Sequence, residues 1–265
     1  MADRYAVIGH PVAHSRSPWI HARFAQATGQ RIEYGRIDAP PEGFDAAVEA
    51  FRQSGGKGLN VTLPHKEAAF RLCRDASPRA NAAQAVNTLV LGKAIFGDNT
   101  DGAGLVRDIE ANQRTPLAGR TALLLGAGGA ARGVVGALLE AGIARLVIAN
   151  RTVSRARELA GRFAPASACG YPELAGERFD LVINATSAGL QDAALPLPPG
   201  LFAPGVLAYE MVYGRDTAFL AAARSGGARA CDGLGMLVEQ AAESFLVWRG
   251  LRPDTRAVLA ELRGA

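Results

Sequence analysis

A run of small residues in the middle of the chain has a spacing that suits phosphate binding. The run is Gly126-Ala127-Gly128-Gly129-Ala130-Ala131, with the pattern G-x-G-x-x-A, between an apolar segment at 121–125 and an apolar helical segment. In that context the first glycine permits a tight turn. The second lets the backbone approach a pyrophosphate at the N-terminus of a helix. A turn that only packs a helix on a strand is the alternative, but the context favours a dinucleotide site.

The end of the next predicted strand indicates which dinucleotide is bound. NAD sites place an aspartate or glutamate there, because its carboxylate accepts hydrogen bonds from the ribose 2′-hydroxyl. This chain instead has Asn150, Arg151 and Thr152, with Arg155 one helical turn later. Since guanidinium groups pair with phosphate in a bidentate manner, the segment predicts a site for the 2′-phosphate of NADP. Arginine is abundant in the chain, so a chance occurrence is the alternative.

Small polar residues gather at the ends of predicted elements in the first hundred residues. They provide hydroxyls, amides, one ammonium and one carboxylate: Ser15, Ser17, Asn60, Thr62, Lys66, Asn87 and Asp101. Alternate residues of an extended backbone, such as Ser15 and Ser17, can point to the same side. The set suits a small polyhydroxylated acid. Individually, ordinary roles stay open, because Ser17 is predicted to cap a helix and Asn87 fits a turn.

Lys66 is the candidate for proton transfer within this set. Only three of the 29 basic residues are lysines, so the chain uses arginine where charge alone is enough. A lysine amine can lose its proton, which a guanidinium cannot do in a protein. Lys57 and Lys93 weaken the argument, because both lie in predicted surface turns where either base would serve.

The elements that must position these residues alternate between strand and helix, which predicts an α/β fold with mainly parallel sheets. Predicted strands cover 5–8, 32–37, 58–62, 121–125, 145–150, 179–184, 206–211 and 228–231, with a hairpin of 87–91 and 94–97. We predict two lobes. An N-terminal α/β substrate lobe comprises residues 1–101 and is completed by C-terminal helices in 237–265. A Rossmann-type doubly wound NADP-binding lobe comprises residues 102–236.

Composition excludes several other classes. The chain has 265 residues, 49% hydrophobic and 20% charged, as in packed globular proteins. It has no apolar run of about 18 residues and no signal-peptide pattern, which predicts a cytoplasmic protein without membrane association. Three widely spaced cysteines fit neither a disulfide framework nor a zinc site, so no metal is expected. The net charge of +4 comes from dispersed arginines, so nucleic acid is not an expected partner. Monomer and homodimer both stay open.

Several segments together resemble the shikimate dehydrogenase family, in the family's order from residue 5 to about residue 250. They are Gly9-His10-Pro11-Val12-Ala13-His14-Ser15-Arg16-Ser17-Pro18, Asn60-Val61-Thr62-Leu63-Pro64-His65-Lys66, Ala85-Val86-Asn87-Thr88, Gly97-Asp98-Asn99-Thr100-Asp101-Gly102, Gly126–Ala131, Asn150–Arg155, Asn184–Ser187 and Asp232–Leu237. One departure is Glu210-Met211-Val212-Tyr213, where the family commonly has Asp-Met before the tyrosine.

The resemblance implies reversible reduction of 3-dehydroshikimate to shikimate by NADPH, on the route to chorismate and the aromatic amino acids. It implies that Ser15 and Ser17 bind the substrate carboxylate, and that Lys66 and Asp101 bind hydroxyls at the reacting end. The other implied substrate contacts are Thr62, Asn87, Tyr213 and Gln240. The implied cofactor contacts are Gly126–Ala130, Asn150–Arg155, Met211 and Gly233.

These inferences lead to a mechanistic hypothesis in which hydride passes between the nicotinamide and the substrate carbonyl carbon. Lys66 would donate the proton during reduction and accept it during oxidation, with Asp101 holding the lysine in place. Two alternatives stay open: a quinate/shikimate dehydrogenase that uses NAD, and a catalytically silent NADP-binding regulator with the same fold. The segment around Arg151 disfavours the first alternative, and the Lys66 and Asp101 pair disfavours the second.

Overall fold

The computed structural model describes residues 2–188 and 193–264. The chain divides into two compact units. Met1–Leu105 and Leu237–Ala265 form one, called here the N-terminal unit, and Val106–Met236 form the central unit. The division after Leu105 falls within the helix Asp101–Arg107, where the predicted first lobe ends.

A mixed sheet forms the centre of the N-terminal unit. Its strands are β1 (Asp3–Gly9), β2 (Ile32–Asp38), β3 (Gly56–Val61), β4 (Asp75–Ala76), β5 (Thr88–Leu91) and β6 (Ile95–Asp98). Their order across the sheet is β2-β1-β3-β5-β6-β4. Strand β1 is parallel to both of its neighbours, whereas β5 is antiparallel to β3 and β6. The predicted hairpin is therefore confirmed, and it makes this part of the sheet antiparallel.

The central unit contains a sheet in which all described strand pairs are parallel. Its strands are β7 (Thr121–Leu125), β8 (Arg145–Ala149), β9 (Ser167–Cys169), β10 (Leu181–Asn184), β11 (Leu207–Glu210) and β12 (Arg229–Cys231). The order is β12-β11-β10-β7-β8-β9, so the chain runs outward in both directions from β7. In such doubly wound sheets, ligands bind at the carboxyl ends of the strands where the direction reverses.

Helices connect most of these strands. They are α1 (Ser17–Thr28), α2 (Phe44–Gln53), α3 (Lys66–Leu72), α4 (Pro78–Ala83), α5 (Asp101–Arg107), α6 (Gly129–Glu140), α7 (Val153–Ala160), α8 (Ala218–Ser225), α9 (Leu234–Arg249) and α10 (Arg256–Gly264). In the N-terminal unit, Ile8, Leu59 and Leu89 of three adjacent strands share one buried cluster with Phe44 and Val48 of α2. Within the described ranges, no helix combines the length and apolar character required to cross a membrane.

The start of α1 corrects one expectation. Ser17 was predicted to cap this helix, but Arg16 occupies the cap position and Ser17 lies in the first turn beside Pro18. No side chain caps α1 among the described residues. The Ser17 hydroxyl is therefore not used to satisfy the helix terminus.

A buried histidine packs α1 against the sheet of the N-terminal unit. His21 is fully buried, and its ring stacks on that of Tyr34 with centroids 4.3 Å apart and the edge of Phe24 at 5.9 Å. Burial lowers the pKa of His21 to about 3, and the neighbouring Asn60 offsets this only in part. Neither ring nitrogen has a hydrogen-bond partner in the described part of the chain. The imidazole is therefore neutral in the folded protein at ordinary pH.

We expect His21 to destabilise the fold in acid. An unfolded histidine takes up a proton near pH 6.5, whereas the folded His21 does so only near pH 3. The free energy of unfolding should therefore fall as the pH decreases from about 6.5 towards 3, by up to about 1.4 kcal/mol per pH unit from this group. In urea denaturation at several pH values, the free energy of unfolding should fall less steeply with decreasing pH in His21→Phe than in the wild type. The exposed control His14→Gln should keep the wild-type slope, and an unchanged slope in His21→Phe would contradict the assignment.

Candidate functional site

In the central unit, the glycine run forms the turn between β7 and α6. Gly126 adopts a φ of +110°, and a Cβ there would lie 3.1 Å from the carbonyl oxygen of Ala185. Both the conformation and the close approach therefore require glycine. Gly128 occupies the cap position of α6, and a Cβ there would meet no described atom within 4 Å. Packing within the unit does not explain Gly128, and the space over the helix N-terminus suits a phosphate.

The segment after β8 lies at the same edge of the sheet, because the β7 and β8 pairing is parallel and ends at Leu125 and Ala149. Asn150 Nδ2 donates to the carbonyl oxygen of Thr152 at 2.9 Å, which folds the chain before α7. Arg151 and Arg155 are exposed, and neither is paired with a carboxylate among residues 2–188 and 193–264. Two guanidinium groups are thus available to an anion beside the glycine turn.

The remaining predicted cofactor contacts meet at the end of β11. A Cβ on Gly233 would lie 2.3 Å from the carbonyl oxygen of Met211, and Gly233 N donates to the carbonyl oxygen of Val212 at 3.2 Å. Tyr213 follows directly in the chain and is half-buried. The segment before α9 therefore packs on the segment that carries Met211 and Tyr213.

In the N-terminal unit, Lys66 and Asp101 form a close ion pair. Lys66 is the first residue of α3 and Asp101 is the first residue of α5. Lys66 Nζ lies 2.6 Å from Asp101 Oδ2, and the two side chains are only 14% and 5% exposed. The structure therefore brings together the ammonium and the carboxylate that the sequence singled out.

Asn87 orients this ion pair. Its Nδ2 donates to Asp101 Oδ1 at 3.0 Å, to Thr100 Oγ1 at 2.8 Å and to Gln240 Oε1 at 3.1 Å. The backbone N–H of Thr100 donates back to Asn87 Oδ1 at 2.8 Å. Since one Asp101 oxygen faces Asn87 and the other faces Lys66, the carboxylate has no freedom to rotate without breaking a bond. Gln240 reaches this group from α9.

The serine pair lies at the start of α1. Ser15 Oγ donates to Ser17 Oγ at 3.2 Å, and both residues are buried. Arg36 Nη2 donates to the carbonyl oxygen of Ser15 at 2.7 Å. The methyl group of Thr62 lies against Gly9, where a Cβ would approach it to 2.4 Å. The loop after β1 and the end of β3 are thus adjacent.

Asn60 forms hydrogen bonds through both the oxygen and the nitrogen of its side-chain amide. Its Oδ1 accepts from the Tyr34 hydroxyl at 2.7 Å, and its Nδ2 donates to Ser244 Oγ at 2.9 Å. Ser244 Oγ also contacts Thr88 Oγ1 at 2.8 Å. The predicted contact of Asn60 with substrate stays a prediction.

Three residues that support these side chains were not found from the sequence: Tyr34, Arg36 and Ser244. Tyr34 and Arg36 show the same alternate spacing as the serine pair.

No metal centre accompanies these groups in the described ranges, where no three His, Cys, Asp or Glu side chains are arranged to hold an ion.

Comparison with known proteins identifies the family. The model of the shikimate dehydrogenase substrate binding domain matches residues 7–89. The shikimate/quinate 5-dehydrogenase model matches 109–191, and that of the shikimate 5′-dehydrogenase C-terminal domain matches 233–263. A curated shikimate dehydrogenase (NADP(+)) of Aromatoleum aromaticum is 60% identical over 270 residues, covering 98% of this chain and 97% of its own length. This chain belongs to the shikimate dehydrogenase family.

Two further relatives agree with this assignment. A shikimate dehydrogenase (NADP(+)) of Methylobacillus flagellatus is 57% identical, covering 99% of this chain and 100% of its own. The structure of shikimate 5-dehydrogenase from Thermus thermophilus in complex with NADP(H) and shikimate is 40% identical, with a TM-score of 0.89 and 99% of each chain covered. The predicted family and the predicted α/β fold with a Rossmann-type unit are confirmed.

Proposed function

We propose that this chain catalyses the reversible reduction of 3-dehydroshikimate to shikimate with NADPH, a step towards chorismate and the aromatic amino acids. The observation that carries the proposal is the largely buried Lys66–Asp101 pair, in the unit that includes the match to the substrate binding domain. The names of the curated relatives support NADP as the cofactor, and the Thermus thermophilus complex supports shikimate as the ligand.

NADP fits the residues of the central unit. The Gly126–Ala130 turn would hold the pyrophosphate, because Gly128 leaves space over the start of α6. Asn150, Arg151, Thr152 and Arg155 would hold the 2′-phosphate, since the two guanidinium groups have no competing carboxylate in the described ranges. Met211 and Gly233 complete the proposed contacts. The bound nicotinamide supplies or accepts the hydride.

The N-terminal unit would bind the substrate through its polar groups. The hydroxyls of Ser15 and Ser17, which lie 3.2 Å apart, would bind the carboxylate. The proposed contacts of this unit with the rest of the substrate are Asn60, Thr62, Lys66, Asn87, Asp101 and Gln240, and Tyr213 of the central unit is a further proposed contact. The side-chain amide of Asn87 already orients Asp101. We therefore expect Asn87 to act mainly at the reacting end of the substrate.

Lys66 is the proposed proton carrier. During reduction its ammonium would donate a proton to the substrate carbonyl oxygen, and during oxidation its amine would accept the proton of the hydroxyl. Asp101 holds the lysine nitrogen at 2.6 Å. A positioned general acid of this kind lowers the barrier because the proton moves as charge develops on oxygen.

Gly128→Ala should weaken NADPH binding without weakening the fold. A Cβ at this position meets no described atom within 4 Å, and the φ of −87° suits any residue. The thermal midpoint should therefore stay close to the wild-type value, while Kd for NADPH rises about tenfold because the methyl group occupies the space proposed for the pyrophosphate. Fluorescence titration and thermal denaturation provide the two readings. An unchanged Kd would contradict this placement of the cofactor.

The proposed reaction is tested by adding 3-dehydroshikimate to the purified protein with NADPH. NADPH oxidation should follow substrate addition, and mass spectrometry should identify shikimate as the product. NADPH oxidation without shikimate, or no oxidation at all, would contradict the proposal.

Quinate is the second candidate substrate, because the family model that matches residues 109–191 covers shikimate and quinate enzymes. The cytoplasm is the proposed location, and Cys73, Cys169 and Cys231, which form no disulfide with one another, are in keeping with a reducing compartment. Assembly as a monomer or a homodimer remains a prediction that light scattering decides.

A further inference from the structure

A buried carboxylate of the central unit has no part in the chemistry described above. Glu210 is the last residue of β11 and is 0% exposed. It directly precedes the segment that carries Met211 and Tyr213. Because glutamate is almost never fully buried unless it is paired or hydrogen-bonded, its partners indicate its role.

Each described partner of Glu210 is a hydrogen-bond donor. Asn184 Nδ2 donates to Oε2 at 2.7 Å, and Thr217 Oγ1 donates to the same oxygen at 3.1 Å. The backbone N–H of Val212 donates to Oε1 at 3.1 Å. Burial raises the pKa of Glu210, and these hydrogen bonds oppose the rise. An environment made of donors suits a carboxylate, which only accepts hydrogen bonds, and it does not suit an amide.

Through Asn184 the carboxylate supports the glycine turn. Asn184 Oδ1 accepts from both the N–H and the hydroxyl of Thr186, at 3.1 Å and 2.7 Å. The carbonyl oxygen of Ala185 and the methyl group of Thr186 lie 3.1 Å and 3.3 Å from where a Cβ of Gly126 would be. The segment held by Asn184 therefore packs directly on the first glycine of the proposed pyrophosphate site.

Through Val212 the carboxylate supports the other proposed contacts. Its bond to the Val212 N–H fixes the backbone between Met211 and Tyr213. The carbonyl oxygen of Val212 in turn accepts from Gly233 N at 3.2 Å. The buried carboxylate of Glu210 is thus connected by hydrogen bonds to Asn184, whose segment packs on the glycine turn, and to the segment of Met211 and Tyr213.

We propose that Glu210 is a positioning residue for the reaction, which sets the placement of Tyr213 for the substrate and of the Gly126 turn for NADPH. The inference rests on the proposed function, because it assumes that Tyr213 contacts shikimate and that the glycine turn contacts NADPH. Glu210 itself touches neither.

The first test compares Glu210→Gln with Glu210→Asp and the control Glu177→Gln. Glutamine keeps the length of the side chain but turns an NH₂ group towards donors, so Kd for NADPH and KM for shikimate should rise about ten- to a hundredfold. Aspartate keeps the charge with a shorter reach and should give a smaller increase in both. Glu177 forms an exposed pair with Arg145 in the same unit, and its variant should stay within about twofold of the wild type.

A double-mutant cycle with Tyr213→Phe separates positioning from general stabilisation. If Glu210 acts through Tyr213, the double variant Glu210→Gln/Tyr213→Phe should have a KM for shikimate close to that of the worse single variant. Multiplicative effects of the two substitutions would overturn the proposal, as would Glu210→Gln kinetics within about twofold of the wild type. Should Glu210→Gln fail to fold, the same cycle with Glu210→Asp decides by the same criteria.

The failure of the proposed function gives a different result. A wild-type protein that binds NADPH but does not turn over shikimate would reject the proposed reaction. The comparison of Kd for NADPH between Glu210→Gln and Glu177→Gln would still decide whether Glu210 positions the glycine turn.

Discussion

Lys66→Ala is expected to lower kcat for shikimate oxidation by about 10²–10⁴-fold while Kd for NADPH stays unchanged. The substitution removes the proposed proton acceptor, whereas the glycine turn and Arg151 lie in the other unit. It also leaves Asp101 buried without the ammonium at 2.6 Å. Steady-state rates and fluorescence titration of NADPH measure the two quantities on the same preparation.

Lys66→Arg distinguishes proton transfer from charge alone. Arginine keeps a positive charge near Asp101 but cannot give up its proton at accessible pH. Its kcat should therefore remain close to that of Lys66→Ala. The exposed control Lys93→Ala, in the turn between β5 and β6, should retain the wild-type rate. Near-normal turnover by Lys66→Ala would remove Lys66 from the mechanism.

The second large effect is expected for Arg151→Ala, which should raise KM for NADPH about tenfold or more and leave KM for NADH nearly unchanged. A hydrogen bond to a charged group typically contributes about 1.5–3 kcal/mol, and about 1.4 kcal/mol corresponds to a factor of ten in affinity. Only NADPH carries the 2′-phosphate that the guanidinium would bind. The ratio of the two KM values therefore reports directly on this interaction.

Arg157→Ala provides the matched control for this prediction. Arg157 is exposed on α7, the same helix as Arg155, but it lies in the last turn rather than at the start. Removal of the Arg157 side chain should change neither KM for NADPH nor KM for NADH. An equal rise in both KM values for Arg151→Ala would refute the 2′-phosphate role and point to a general loss of the cofactor site.

The parts of the fold that follow from local sequence were predicted correctly. Strand β7 is a continuous apolar run and was predicted at 121–125, where the structure has it. Helix α1 was predicted to start at Pro18 and to end near Thr28; its end agrees, and its start lies one residue earlier, at Ser17. Strand β9 was missed, since three residues at the edge of the sheet form no recognisable apolar run.

In the candidate site too, some residues could be found from the sequence and others only from the tertiary structure. The glycine turn could be found because residue type and local spacing carry its chemistry, whereas the pairing of Lys66 with Asp101 was expected from the family resemblance. The partners that orient them could not, because they are distant in sequence: Asn60 and Ser244 are 184 positions apart. The partners of Glu210 come from two strand ends and the start of a helix, so only the tertiary structure shows that they surround one carboxylate.

The most direct test of the account is an initial-rate comparison of shikimate and quinate, each with NADP⁺ and with NAD⁺. The highest kcat/KM is expected for shikimate with NADP⁺, since the proposed contacts of Arg151 and Arg155 with the 2′-phosphate would favour the phosphorylated cofactor. A highest value for quinate with NAD⁺ would contradict it.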